Sequence, residues 1–534
     1  MSAATPAPTA DPRPAPGLVL SWLGATDHKR IATHLGWMCG VFLVTGGLVA
    51  LTMRTELAQP GLQFLSRDRY NELYSLHGST MIYFVMTPAA LALGAYLVPL
   101  QVGAADLVAP RLNLFALWLM IGGGVLSYSS LFTTSGYPRD GWTEFLPMSN
   151  DTFSPGTGTD LWTAGVTAEA ISSMILAGTI LATVLLRRAP GMTMLRVPVF
   201  TWTMVATCFN VLFAFPALAG AMGLLFVARH TSIGVDPNTY LNLFWFYGHP
   251  VVYVMFFPFV GASLEVIATA AGRRMSGYGV FVVAILGFAA TSMAVWGHHM
   301  FTTGQVTNEY FSVTSIALLI FAGVEYFDAL MTMWGGALVL RTSTLFALGF
   351  FVQFLVGGLT GIYVASAPLD YHVNDTYFVV GHFHYTLFAG SLFGLFAGIY
   401  HWYPKATGRL LGEGLGKLHF WVLAIGTNLT FFPFFILGWD GMVRRVADYP
   451  RVANLADWNL VSTIGSYVVG VAMVVFAVNL LRSWMSGRPA GNDPWNGQTV
   501  EWWTTSPPPR HNFDSLPPIR SHAPLLDLRE ESPT

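Results

Sequence analysis

The sequence predicts an all-α membrane protein with about twelve transmembrane helices. Of the 534 residues, 53% are hydrophobic and only 10% are charged, whereas a soluble domain carries roughly 25% charged residues. Apolar runs such as 31–53, 199–227 and 460–481 reach the ~20 residues that a helix needs to cross the hydrocarbon. Open sheets are excluded in lipid, because their unpaired backbone groups would have no hydrogen-bond partner there.

The predicted spans follow one another along the whole chain. They begin near Ile31, Leu73, Leu112, Trp162, Val199, Leu241, Gly277, Ser312, Ser343, Thr376, Lys417 and Leu460. An even number of spans places both termini on one side of the membrane. The loops on that side carry an excess of basic residues, including the pairs Arg187-Arg188 and Arg273-Arg274. The positive-inside rule therefore predicts that both termini are cytoplasmic.

The two ends of the chain differ in composition from the spans. We predict an N-terminal tail at 1–25, a helical domain at 26–485 and a cytoplasmic C-terminal tail at 486–534. The first segment is rich in Ala, Pro and Thr and lacks the apolar core of a signal peptide. We expect disorder there and in the Pro-rich end after Ser506. The net charge of −2 gives no reason to expect a nucleic-acid partner.

Six of the 14 histidines lie inside the apolar runs, where ionisable groups are costly and usually functional. They are His77, His249, His298, His299, His382 and His384. A lone histidine in a span is more often a hydrogen-bonded packing residue than a ligand. Six in tight local patterns indicate metal, and imidazole suits iron and copper.

His382 and His384 stand two positions apart in the stretch VVGHFHY. Two positions turn a helical side chain by about 200°, so the two imidazoles point to opposite sides of one helix and cannot share a metal. Each can ligate a different metal, and a histidine is a common axial ligand of haem. The pair predicts a helix that stands between two haem groups.

A second group of histidines predicts a separate metal site. His249 and Tyr253 are four residues apart and share one helical face. With the adjacent pair His298 and His299, His249 makes a three-imidazole site that suits copper better than magnesium or calcium. The nearby phenol can supply an electron and a proton together. His77, which leads into another span, is the natural second axial ligand of an electron-transferring haem.

These histidines, with several further motifs in the same order, resemble subunit I of the haem–copper oxidase superfamily, of the cytochrome c oxidase type. The resemblance extends from about Thr26 to Phe513. The supporting stretches are 102–106, 110–113, 188–192, 404–409, 416–421, 428–433 and 503–509. It implies an oxygen reductase of the A type, in which about twelve helices enclose two haems and one copper ion.

The resemblance also implies roles for individual residues. By motif, His77 and His384 resemble the axial ligands of the low-spin haem, and His382 resembles the proximal ligand of the high-spin haem. The residues that resemble the copper ligands are His249, His298 and His299. Tyr253 resembles the tyrosine that the family cross-links to a copper histidine. Arg54 matches an arginine near a substituent of the low-spin haem. Arg444 and Arg445 resemble the pair that holds haem propionates, which suits the guanidinium group.

The resemblance further implies cofactors and partners. Both haems are expected to be haem a. Cys39 and Cys208 lie far apart and form no CxxC motif, so a thiolate metal centre or a covalently attached haem is not expected in this chain. Electrons would arrive from a subunit II that carries the copper site missing here, fed by cytochrome c or quinol, and a subunit III is expected beside it. The expected location is a bacterial plasma membrane.

The chain departs from the family in its proton routes. Asp106 and Asn113 match the entrance of one route, but the glutamate that usually follows the His-Pro pair is Val251. Some relatives replace this glutamate with a Tyr-Ser pair just before the histidine, and this chain has Tyr247 followed by Gly248. Tyr247 is therefore either half of that substitute or a packing aromatic.

The second route is changed as well. The family's lysine falls on Glu325, and Asp328 lies three residues further on the same helical face. Two such carboxyl groups form a proton relay or, alternatively, are both solvated near the lipid interface. A magnesium site is also altered, because the family's His-Asp pair is Asn374 and Asp375 here.

Three functions follow from these patterns. The leading hypothesis is the catalytic subunit of a terminal respiratory oxidase, which reduces dioxygen to water; coupling to proton pumping is a separate hypothesis that needs its own test. Glu325 favours the alternative of a nitric oxide reductase with a non-haem metal, whereas Tyr253 favours oxygen reduction. A polytopic transporter with incidental histidines would be colourless.

Overall fold

The structure is a computed structural model that describes residues 22–531, so most of the predicted N-terminal tail lies outside the described residues. Twelve helices in this part are long and apolar enough to cross a membrane, as predicted. In chain order, the first to twelfth spans are His28–Glu56, Arg67–Gln101, Pro110–Phe132, Gly158–Leu186, Val199–His230, Pro237–Ala271, Tyr278–Thr303, Asn308–Met333, Thr342–Ala365, Tyr377–Thr407, Glu413–Trp439 and Asn454–Ser486. Shorter helices are Ala367–Val373 and Pro524–Glu531.

Polar capping residues set where several spans begin. The side chain of Asp27 accepts hydrogen bonds from the backbone N–H groups of Lys29 and Arg30 at the start of the first span. Asp236 caps the sixth span in the same way, ahead of Pro237, and the Thr376 hydroxyl accepts from Phe378 N at the start of the tenth span. Such caps pair N–H groups that have no partner within the helix.

Two spans contain a π-helical segment in their interior. In the second span this segment is Thr80–Met86, shortly after His77, and in the tenth span it is His384–Leu392. π-helical turns inside α-helices are rare and occur frequently at functional sites. The apolar periodicity did not predict them.

The third and fourth spans cross at two glycines. A Cβ atom added to Gly123 would lie 2.7 Å from the carbonyl oxygen of Gly165, and a Cβ added to Gly165 would lie 2.5 Å from the carbonyl oxygen of Gly123. Small residues at such crossings let two helix backbones approach closely in a membrane. The fourth span is thereby held tightly against the third.

The C-terminal segment packs against the bundle, so the predicted disorder after Ser506 is wrong for residues up to 531. Ile519 is buried, and its carbonyl oxygen accepts from Arg196 Nη1 at 3.2 Å. Asn512, also buried, hydrogen-bonds His28 at the start of the first span. Buried polar partners, which composition does not reveal, hold this Pro-rich segment in place.

Candidate functional site

Three imidazoles converge where the sixth and seventh spans meet. One ligand atom from each of His249, His298 and His299 lies within 4.8 Å of the other two. The closest nitrogen pairs are His249 Nδ1 with His299 Nε2 at 3.4 Å and His298 Nε2 with His299 Nε2 at 3.2 Å. This is the only such group among the described residues, and its all-imidazole donor set fits copper.

Neighbouring groups orient these imidazoles. The Oγ of Ser315 lies 2.8 Å from His298 Nδ1, and the ring of Trp245 stacks on His299 with centroids 4.0 Å apart. The rings of His249 and Tyr253 are 4.8 Å apart, on one helical face as the spacing predicts. His249 Nε2 is buried and has no hydrogen-bond partner. The three rings are therefore held by contacts that leave ligand nitrogens free.

His77 and His384 face each other across a narrow gap. Their rings are nearly parallel, at 10°, with centroids 6.4 Å apart. A metal–imidazole bond is about 2 Å long, so one metal fits between the two rings. The Nδ1 atoms of His77 and His384 lie 3.0 and 2.9 Å from the carbonyl oxygens of Gly46 and Val380, which directs the other nitrogens into the gap.

The side chains of His382 and His384 contact different neighbours. Its Nδ1 lies 3.0 Å from the carbonyl oxygen of Gly357 in the ninth span, which leaves Nε2 for a metal. The two imidazoles therefore point to different sides of their helix, as their spacing predicts. His382 also lies within electrostatic reach of His249, His298 and His299.

Three arginines that the sequence analysis singled out lie at the end of the first span or in the connection before the twelfth span. Arg54 is buried and donates to Asn459 at 2.9 Å, while its Nε and one terminal nitrogen have no partner. Arg444 forms an ion pair with Asp375, Nη2 to Oδ1 at 2.5 Å. Burial and the adjacent Arg444 lower the pKa of Arg445. These guanidinium groups fit acidic or polar haem substituents.

The sequence is similar to a known family and to named proteins over most of its length. The model of the family described as cytochrome C and quinol oxidase polypeptide I matches residues 30–468. The chain belongs to this family. A relative from Nocardia farcinica, "Probable cytochrome c oxidase subunit 1-beta", is 45% identical over 94% of this chain and 87% of its own length. "Cytochrome c oxidase subunit 1" of Corynebacterium diphtheriae is 43% identical over 98% and 94%.

A solved structure shows the same fold. A heme-copper terminal oxidase dimer superposes with a TM-score of 0.74 at 18% identity, over 86% of this chain and 84% of that chain. This oxidase subunit is thus a multi-pass membrane oxidoreductase, the catalytic subunit of a terminal oxidase that works with other subunits. The family implies haem and copper, and the nitric oxide reductase alternative is not favoured.

Three polar residues of the predicted proton routes, Glu325, Asp328 and Tyr247, are buried within the spans. Glu325 and Asp328 in the eighth span are 1% and 7% exposed, and each has an oxygen without a hydrogen-bond partner. Exposure this low disfavours the interpretation that both are solvated. The Tyr247 hydroxyl is buried without a partner, and its ring packs on Tyr83 and Phe215, so it also serves as packing.

The outer residues of the first predicted proton route each accept a hydrogen bond from another helix. Asp106 Oδ1 accepts from the backbone N–H of His28 at 3.1 Å, and Asn113 Oδ1 accepts from the Thr179 hydroxyl at 2.6 Å. For magnesium, the carboxylate of the expected ligand Asp375 lies against Arg444.

The interpretation of the sequence missed two groups near the site. Trp142, in the loop 133–157, packs against Gly78 beside His77, and its ring lies 6.0 Å from that of Trp245. Glu169 is a fully buried carboxyl in the fourth span. An acidic residue in the middle of an apolar run was the available signal for Glu169. Nothing in the sequence indicates where Trp142 lies.

Proposed function

We propose that this oxidase subunit reduces dioxygen at a copper ion held by His249, His298 and His299, facing a haem ligated by His382. The observation that carries this assignment is the convergence of three imidazole nitrogens within 4.8 Å. Bound haem and copper supply electron transfer and the binding of oxygen. The protein holds the ligand side chains in position through contacts such as that of Ser315 with His298.

Electrons reach this site, in our proposal, through a low-spin haem between His77 and His384. The parallel rings at 6.4 Å support a single iron there. Arg54, whose buried Nε has no partner, would bind a substituent of this haem, and Arg444 and Arg445 would bind propionates. We propose haem a for both groups.

Tyr253 would supply an electron and a proton during oxygen reduction. Its ring lies 4.8 Å from that of His249, whose Nε2 has no hydrogen-bond partner. This free nitrogen supports the cross-link between tyrosine and histidine that the family resemblance implies. The presence of the phenol also favours oxygen over nitric oxide as the substrate.

We propose that protons enter through Asp106 and Asn113 and, separately, through Glu325 and Asp328. Burial of Glu325 within electrostatic reach of Tyr253 supports a relay toward the site. Tyr247 would belong to the first route. Whether these routes also pump protons is tested by measuring acidification outside proteoliposomes during turnover.

The remaining features of the proposal concern the assembled enzyme. We propose that both termini are cytoplasmic, because the loops on their side are the basic ones. We propose that cytochrome c, or alternatively quinol, donates electrons through subunit II, with subunit III beside it. A magnesium ion at Asp375 would have to share that carboxylate with Arg444.

Haem extraction and metal counting on the purified complex test the site. We expect His249→Ala to lose copper and oxygen consumption while the low-spin haem spectrum remains. His419→Ala is the matched control, because His419 is a buried span histidine that packs among aromatic rings. Retention of copper and oxygen consumption in His249→Ala would show that the assignment is wrong. Iron in place of copper in the wild type would favour nitric oxide reduction.

A further inference from the structure

Glu169 lies in the interior of the fourth span and is fully buried. The Ser173 hydroxyl donates to its Oε1 at 2.7 Å, and its Oε2 has no hydrogen-bond partner. No ion pair among the described residues includes it. An isolated buried carboxylate is costly, so such a group takes up a proton instead. Glu169 is therefore a neutral acid that holds one proton within the bundle.

Two phenols lie within electrostatic reach of the Glu169 carboxyl group. They are Tyr83 in the second span and Tyr247 in the sixth span, and their rings stack on each other. Trp162, two turns before Glu169 on the same helical face, packs against Tyr83. The Tyr247 hydroxyl is buried and has no hydrogen-bond partner. Val251, which stands where the family has a glutamate, lies one helical turn beyond Tyr247 on the same face and is fully buried.

Toward the end of the fourth span, hydrogen bonds join the helix that carries Glu169 to the segment that contains Asp106. Thr179, two to three turns away in the fourth span, donates to Asn113 Oδ1 at 2.6 Å. Asn113 in turn donates to the carbonyl oxygen of Val108 at 2.8 Å, two residues from Asp106. The outer polar contacts and Glu169 are thus carried by one helix.

Between these ends, the fourth span carries three hydroxyl side chains within an arc of about 120°. From Glu169, the side chains of Ser172 and Ser173 are turned by about 60° and 40°, in opposite senses, and that of Thr179 by about 80° toward the side of Ser172. Seven positions separate Ser172 from Thr179, a rise of about 10 Å with a turn of only about 20°. A proton that crosses this distance requires internal water molecules, which bind where polar groups are present.

We propose that Glu169 is the inner proton-carrying carboxyl of this oxidase. This group would then lie in the fourth span, whereas the family's glutamate lies in the sixth span at the position of Val251. The proposal rests on the proposed function and names one residue of its first proton route. In each cycle, the Glu169 carboxyl releases its proton inward past the Tyr247 hydroxyl and takes up another from the Asp106 side. One proton moves inward, and no other bond changes.

Proton uptake during a single turnover tests this role. The fully reduced complex, in unbuffered solution with a pH-indicating dye, is mixed with oxygen, and haem oxidation is followed at the same time. We expect Glu169→Gln to keep both haems and copper, but to slow proton uptake and steady-state oxygen consumption roughly 100-fold. We expect Glu169→Asp to retain part of the rate, and Val251→Glu to restore it in the Glu169→Gln background.

Glu265→Gln is the matched control, because Glu265 is also a buried span carboxyl but accepts from Phe200 N and Gln101 Nε2 and lies off this route. Wild-type proton uptake in Glu169→Gln would overturn the proposal. If that variant loses haem, Ser173→Ala replaces it, and unchanged uptake there would equally overturn it. A wild type without haem or oxygen consumption would refute the proposed function itself.

Discussion

Arg229, near the end of the fifth span, joins the loop 133–157 to the bundle through several hydrogen bonds. Its side chain is 1% exposed, and Nε donates to Asp160 Oδ1 at 2.6 Å. Its terminal nitrogens donate to the carbonyl oxygens of Ser149, Ser154 and Gly156 at 2.7, 2.8 and 2.7 Å. Because Trp142 in the same loop packs beside His77, we expect Arg229→Met to loosen the cover of the metal site.

The magnitude follows from the partly buried ion pair and from the carbonyl oxygens that lose their donor. Removing one partner of a fully buried ion pair costs about 3–5 kcal/mol, which is an upper value here because the Asp160 side chain is 27% exposed. Every 1.4 kcal/mol changes an equilibrium tenfold, so the population of the open state of the loop rises by up to roughly 10²- to 10³-fold. Cleavage by a protease tracks that population when opening and closing are fast.

The assay is limited proteolysis of the detergent-solubilised complex, with cuts mapped in the loop 133–157. Arg187→Met is the control, because Arg187 is an exposed arginine at the end of a neighbouring span. We expect cleavage of the loop to accelerate at least tenfold in Arg229→Met and to stay at the wild-type rate in Arg187→Met. A rate equal to that of the wild type would refute the view that this arginine holds the loop closed.

Two further predictions concern the ninth span and the C-terminal segment. A Cβ atom at Gly357 would lie 2.7 Å from Thr386 Cγ2, whereas one at Gly358 meets nothing within 4 Å. We therefore expect Gly357→Ala, but not Gly358→Ala, to displace the carbonyl group that holds His382. The reduced Gly357→Ala enzyme should bind carbon monoxide more weakly and keep its low-spin haem spectrum. Equal carbon monoxide difference spectra in the two variants would contradict this expectation. Burial and the nearby Arg274 lower the pKa of His522 to about 4, although Asp527 acts in the opposite direction. Because the docked segment prefers the neutral imidazole, its docking is fully stable above about pH 6.5 and loses about 2 kcal/mol by pH 5. Proteolysis of the segment should accelerate over that range in the wild type and less so in His522→Phe, and equal acceleration would exclude His522 as the cause.

Most of the fold was predictable because membrane insertion imposes a simple pattern on the sequence. The low charge content and the long apolar runs predicted twelve helices, and the structure has that number in the described residues. The interruptions of these helices were not predictable, because the π-helical segments at 80–86 and 384–392 preserve the apolar composition of their spans. The packed end after Ser506 was misjudged, because its partners, such as His28 and Arg196, are distant in sequence.

The sequence by itself determined which imidazoles can share a metal within one helix. The two-residue spacing of His382 and His384 forces them apart, and the four-residue spacing of His249 and Tyr253 brings them together, because helix geometry is local. Only the tertiary structure decided that His77 meets His384 at 6.4 Å and that His249 meets His298 and His299. It alone brought the Glu169 carboxyl group within electrostatic reach of Tyr247. Contacts between residues of different helices depend on how those helices pack, and the periodicity of one helix does not encode this.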